Sequence, residues 1–413
     1  MAFTGATSGL AAGAQTNDTV LDYAQEVNYG VPPSGNYQLM RITGETLTSS
    51  QTTARPDEIN PVKEVAQSVV TQVQASGSIS GALSSQTFDD MLSAVMGNDT
   101  GNILKKYLPA NETFVLVSKD AGNSGQDSVW CGNSTSGAVN GFFSEYNAGN
   151  AVAITDANSG KVYSSVITQI SADGATALFS PGSLGLDKSV TLSGNSTVSV
   201  AGIVNGNIDK TYTFRKKLLS GWLMYSGSLV TQVQIQLQQG QFGTVSVDVT
   251  SKSETRSTSD VSSGSLPAPT GIVHNTVKNF LGVTIFGKVP AGCVTNCSIT
   301  LARDGSGNDY GNGHADACGA RSGSFTASGS IEFYFRTWDE YDAMLAGTQG
   351  PIVIKSVDDD GNGYAFTFLN AALRNGKVNT SQKNQTVKAT FDIEGNPLPG
   401  GTTFAISRIT PAA

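Results

Sequence analysis

Histidine is nearly absent: His274 and His314 are the only two in 413 residues. Catalysis built on imidazole has little to draw on. Other catalytic signatures are missing too, with no G-x-S-x-G elbow, no H-E-x-x-H helix and no Walker phosphate loop. Four cysteines, Cys131, Cys293, Cys297 and Cys318, are too few for a disulfide framework in a chain this long. No apolar run approaches the ~20 residues that a membrane-spanning helix needs. Charge is sparse at 14% of residues, and 25 Lys and Arg against 33 Asp and Glu leave a net charge of −8. A surface of that sign does not grip phosphate backbones, so stable nucleic-acid binding is disfavoured. The three tryptophans, Trp130, Trp222 and Trp338, are scattered rather than set in a strip. The opening "MAFTGATSGLAAGAQTNDT" has no Lys or Arg ahead of an apolar core, so it does not read as a signal peptide. Both points weigh against a rival class, a secreted or surface carbohydrate-binding or adhesin β-protein. A β-solenoid hydrolase would need short regular repeats and clustered carboxylates, which the chain lacks. Residues 1–20 are expected to form a mobile arm, and the chain to be made and folded in a cytoplasm.

What is present is glycine, 47 residues of it, and alternation with a period of two. The length favours two or three domains. In "LVTQVQIQLQQGQFGTVSVDVTS", Leu229 to Ser251, Val233, Ile235 and Leu237 alternate with glutamines. After a turn at Gly240 to Gly243, Val245, Val247 and Val249 alternate with Ser246, Asp248 and Thr250. This is a hairpin with one apolar face and one long, nearly uncharged polar face. "QTVKATFDI" and "YAFTFLN" read as further strands.

Helical signal is sparse and follows each copy of a repeated pentapeptide, "ASGSI", at Ala75 and Ala327. Thr87-Phe88-Asp89-Asp90 and Thr337-Trp338-Asp339-Glu340 have the Thr-x-x-acid pattern of a capped helix start, and Gly97 and Gly347 mark the stops. The paired carboxylates are explained by the helix start without catalysis. Another helix is suggested by "PVKEVAQSVVTQV" from Pro61. The order alternating strand, ASGSI strand, helix, Gly, then a "YTFRK" or "YAFTF" strand and a closing alternating strand occurs twice. Matching the caps requires a two-residue deletion in the second copy. The shared order favours duplication over chance. Residues from about 111 to 207, with turns at "DANSGK", "SADG" and "SPGS", suggest a small inserted β-barrel or meander. The polar stretch from Ser251 to Gly271 is expected to divide the copies.

Three stretches are candidate cation sites. "DDDGNG" from Asp358 resembles the start of a calcium loop, but Leu369 stands where a bidentate Glu belongs, so a hairpin turn is favoured. "RDGSGNDYGNG" from Arg303 reads first as a glycine-rich loop. Cys293, Cys297, His314 and Cys318 have a donor count and spacing suited to zinc; a disulfide or buried thiols are the alternatives, and no metal or cofactor is assigned. "FRKK", Phe214 to Lys217, is the one basic cluster, expected at a solvated strand end or against an acidic partner subunit.

The order of these weak signals resembles the tail tube proteins of long-tailed, non-contractile (siphovirus-type) bacteriophages, in the version with a duplicated tube domain. The resemblance begins at "YAQEVNYGVPPSGNYQLMRITGETL" and "TARPDEINP". It continues through "SGSI", "YTFRKK" and the long hairpin, and ends in "GSFTASGSIEFYFRTWDEYDAML" and "VDDDGNGYAFTFLNAAL". The "CVTNC … HADAC" region departs from it. The resemblance implies a mainly β protein: a first tube domain at 21–252 carrying the insert and a second at 253–413, each a β-sandwich or half-barrel with one packed helix. It implies trimeric rings of pseudo-sixfold symmetry, stacked into a tube in the virion tail. Viral DNA would pass along a polar, acidic lumen, for which Gln232 to Thr250 are candidates. Expected partners are further copies of the chain, the tape measure protein, the tail terminator and the distal tail protein, with no membrane. No catalytic residues are expected.

Overall fold

The computed structural model describes residues 16–409, except 60, 62–63, 99–102, 134, 136, 187, 381–382 and 399–401. Most of the expected arm, 1–20, lies outside the described residues. The fold is mainly β, with two short α-helices. Fourteen strands carry the argument: β1 (Val20–Gln25), β2 (Thr48–Ala54), β3 (Val69–Ala82), β4 (Thr211–Leu218), β5 (Gly221–Gln238), β6 (Thr244–Ser251), β7 (Ser253–Ser257), β8 (Phe280–Ile285), β9 (Val294–Asp304), β10 (Ser324–Tyr334), β11 (Gln349–Val357), β12 (Gly363–Asn379), β13 (Lys388–Asn396) and β14 (Phe404–Ile409). The helices are α1 (Asp89–Met96) and α2 (Asp339–Leu345).

Six antiparallel pairings organise β1 to β7: β1 with β4, β2 with β3, β3 with β6, and β5 with β4, β6 and β7. The same six, in the same order, organise β8 to β14. The registers agree as well. In β3, Ser78 and Ile79 of the first ASGSI lie opposite Asp248 and Val247; in β10, Ser330 and Ile331 of the second lie opposite Asp392 and Phe391. β4–β5 and β11–β12 each slip register at one place, between Tyr212 and Phe214 and between Gly350 and Ile352. A seventh pairing joins the halves, with β5 running from Gln232 to Gln238 beside Ala302 to Asn296 of β9. The result is one continuous sheet in the order β2-β3-β6-β5-β9-β10-β13-β12.

Alternation decides which face is buried. Ile79, Val233, Ile235, Val247, Ile299, Leu301, Ile331, Phe391 and Ile393 form the core face of this sheet, and α1 packs on it. The "YAFTF" strand departs from simple alternation: Tyr364 to Leu369 are buried on both faces, because α1 lies on one side and Ala151 and Val166 of the intervening segment on the other. That segment has its own core, from Leu108 and Phe114 to Val198 and Val200, and its last strand pairs with β14 through Gly202 and Ser407.

Two expectations need correction. The helix proposed from Pro61 is not formed: Val69, Val70, Thr71 and Val73 belong to β3, where β-branched residues fit a pleated strand paired with β2. Neither threonine caps its helix; the Thr87 hydroxyl lies 2.6 Å from the Ser84 hydroxyl, and the Thr337 hydroxyl lies 3.4 Å from the Glu340 carboxylate. The stop signals do hold, since Gly97 and Gly347 both have φ near the left-handed value, +63° and +65°. The stretch after Ser251 is held in the sheet, since β7 pairs with β5 and Gly264–Leu266 runs parallel to Asn36–Leu39.

Candidate functional site: a polar sheet face, two open edges and an exposed helix

The face opposite the core is polar across all eight strands. Its residues meet in cross-strand rows: Ser76 with Thr250, Ser78 with Asp248, Gln234 with Ser246 and Thr300, and Ser298 with Ser330, which faces Asp392 in turn. Hydroxyl and amide side chains dominate, so the face is wettable and carries little charge. Two of its bases sit beside acids, Arg374 at 2.6 Å from Glu394 and Lys388 at 2.8 Å from Glu332, while Lys377 lies exposed at the β12 edge. Asp248 has no such neighbour, and burial raises its carboxyl above the usual range.

Each end of the sheet is open. Among the described residues, β2 pairs only with β3, and the Arg374 to Asn379 half of β12 pairs only with β13. A polar, exposed edge such as Thr48 to Ala54 is a template for another strand.

The junction between the halves centres on α1. Tyr364 of β12 and Arg408 of β14 both donate hydrogen bonds to Asp89. Burial raises the Asp89 carboxyl, with Arg408 and the Tyr364 bond opposing that rise. Arg303 of β9 donates to the Val95 carbonyl at 2.8 Å. Leu92, Ile203 and Ile406 complete a small cavity there. α2 has no such cover: none of its residues is buried, and Trp338 and Leu345 are exposed.

The basic cluster is not the free patch the sequence suggested. Arg215 is fully buried, with Asp22 at 2.6 Å and Asp260 at 2.7 Å, and its guanidinium stacks 3.6 Å above the Tyr37 ring. Lys216 pairs with Glu45 at 2.7 Å, and Lys217 lies over Trp222. Asp22, Tyr37 and Glu45 lie far from this cluster in sequence, so spacing alone could not find them. Glu26 was missed for the same reason; it accepts from Gly30 and Gly227 backbone N–H groups and from the Thr211 and Thr213 hydroxyls.

The zinc candidates are not gathered. Cys297 is in the core between the two halves, Cys293 and Cys318 are exposed, and all four thiols are free. No group of metal-ligating side chains forms among the described residues. "DDDGNG" is the β11–β12 turn, where the Asp358 carboxylate accepts from the backbone of Asp360 and Asn362.

The family model for phage tail tube proteins matches residues 16–395. The chain belongs to that family. A search of curated proteins finds no match. Tail tube proteins are structural components that self-assemble in the virion tail, and an edge-open sheet with a polar face is a geometry suited to that task. No described helix is long and apolar enough to cross a membrane.

Proposed function

We propose that the chain is a duplicated tube subunit, β1 to β7 and β8 to β14 being its two copies, and that three chains close into a ring of six similar units. One observation carries this reading: the β5–β9 pairing inside the chain has an unused counterpart at the ends of the sheet. By register, β5 corresponds to β12 and β9 to β2. Repeating the internal junction between chains sets Arg374 opposite Ser50 and Lys377 opposite Thr48 of the next chain. Three repeats return to the start and leave no open edge.

In such a ring the polar face lines the lumen. Its bases are few, Arg374 and Lys388 are paired with acids and Lys377 falls at the chain-to-chain junction, so DNA passes without being held. Stacked rings form the tail tube of a siphovirus-type virion and conduct the viral genome to the host. The tape measure protein would occupy the lumen before ejection, and the tail terminator and distal tail protein would meet the tube's two ends.

A chain with Cys293→Ser and Cys318→Ser, carrying Thr48→Cys and Lys377→Cys, tests the closure. Oxidation of its assemblies is expected to give covalent species ending at three chains on denaturing gels. A ladder reaching six chains would contradict the trimer, and no interchain bond would contradict the edge pairing.

A further inference from the structure

The internal junction also specifies what covers α2. Aligning the helices from Thr87 and Thr337 to Gly97 and Gly347 sets Asp89 against Asp339 and Leu92 against Asp342. Aligning the outer strands by their pairing to β5 and β12, and continuing the β7 register one residue past its end, sets Arg408 against Thr258 and Ile406 against Arg256. In the internal junction Asp89 meets Arg408, and one turn along α1 Leu92 and Ile406 are the apolar side of the same small cavity. In the counterpart both members of the apolar pair are replaced together: Leu92 becomes Asp342, and Ile406 becomes Arg256. The acid–base pair at the helix start is lost, because Thr258 replaces Arg408.

We propose that Asp342 of α2 forms an ion pair with Arg256 of β7 in a second copy of this chain. The contact docks the exposed helix on the first half of its neighbour, and it rests on the ring reading above. The spacing fits. Three residues along a helix advance about 4.5 Å and two along a strand about 6.6 Å, so shifting the pair from the Asp89–Arg408 position to the next turn leaves a mismatch of about 2 Å, which a long arginine side chain spans. Both side chains are exposed. Neither has an oppositely charged partner among the described residues. α2 itself carries Asp339, Glu340 and Asp342 with no base in its last turn, so its field favours a cation from outside. Trp338 and Leu345 flank the acids, at 58% and 68% exposure, and supply apolar area that such docking would cover.

Charge reversal on the full chain tests this. Asp342→Arg and Arg256→Glu are each expected to raise the protein concentration needed for ring formation roughly tenfold or more, because like charges then face each other at every chain-to-chain junction. Melting temperatures of the unassembled variants should match the wild type, since both positions are exposed. The double variant Asp342→Arg with Arg256→Glu should recover most of the assembly. Sedimentation velocity across a dilution series reads all three. Single variants that assemble like the wild type, or a double variant no better than the singles, would overturn the pair while leaving wild-type rings intact. A wild-type chain that forms no rings would instead remove the ring reading beneath it.

Discussion

α1 is buried along most of its length, from Phe88 at 1% exposure to Met96 at 0%, whereas α2 carries Trp338 at 58% and Leu345 at 68%. Each follows an ASGSI strand and stops at a left-handed glycine. The difference starts in the strand beneath. Gly81 of β3 leaves a slot for the Phe88 ring; a Cβ there would come within 2.5 Å of it. The register counterpart on β10 is Phe333, already stacked on Phe391. Trp338 finds the slot filled and turns outward, edge-on to Phe335 and Tyr341. The second cause is cover: Arg303, Tyr364 and Arg408 of the other half close over α1, and none of the described residues closes over α2 in the same way. Burial of these helices is decided by what stands beside each half more than by the helix sequence.

The largest effect that sharpens this contrast is truncation of the two aromatic anchors. Phe88→Ala should cost about 4 kcal/mol of monomer stability in urea unfolding, while Trp338→Ala should cost less than about 1 kcal/mol. Equal losses would mean that α2 is buried in the free chain.

A second contrast lies at one cross-strand position. The first half holds the buried Arg215–Asp22 pair, and the counterpart on β11 and β8 is Val353 with Thr284. Asp22→Ala, which leaves the buried guanidinium only the half-exposed Asp260, should cost about 3 kcal/mol; Asp22→Thr with Arg215→Val, copying the second half, should recover most of it. Equilibrium unfolding of both variants decides whether charge or shape is required there.

Smaller still is a pH effect confined to the first half. Burial works against the Asp260 carboxylate, but hydrogen bonds from Ser262 and the Arg215 guanidinium hold its pKa at about 2, below the usual 3.8. A depressed carboxyl contributes stability above 3.8 that is lost as pH falls through about 2. Asp260→Asn should flatten the stability profile in that window. The smallest effect is expected for Thr337→Ala, within about 0.5 kcal/mol in urea unfolding, because its hydroxyl caps no helix and is only partly buried.

Much of the fold was legible in the sequence, because alternation reports directly on a sheet with one wet face: the Leu229–Ser251 hairpin, both helices and both glycine stops lie where the pattern put them. The Pro61 stretch failed because its valines suit either a helix face or a strand, and only pairing with β2 decides. The candidate surfaces were less legible. The polar face shows as alternation, but an open edge is a missing neighbour, which no local pattern encodes. The Arg215, Glu26 and Asp89 clusters join residues 185 or more positions apart. Polar residues in a half-buried strand look alike whether their partner is water or a distant acid.

The central claim is that one chain supplies two ring units whose internal junction is repeated between chains. Electron microscopy of the purified, assembled protein, averaged down the ring axis without imposed symmetry, tests it most directly. Closed rings of threefold symmetry with six similar lobes around a central channel are expected. Rings of six whole chains, or a protein that stays monomeric at high concentration, would contradict it.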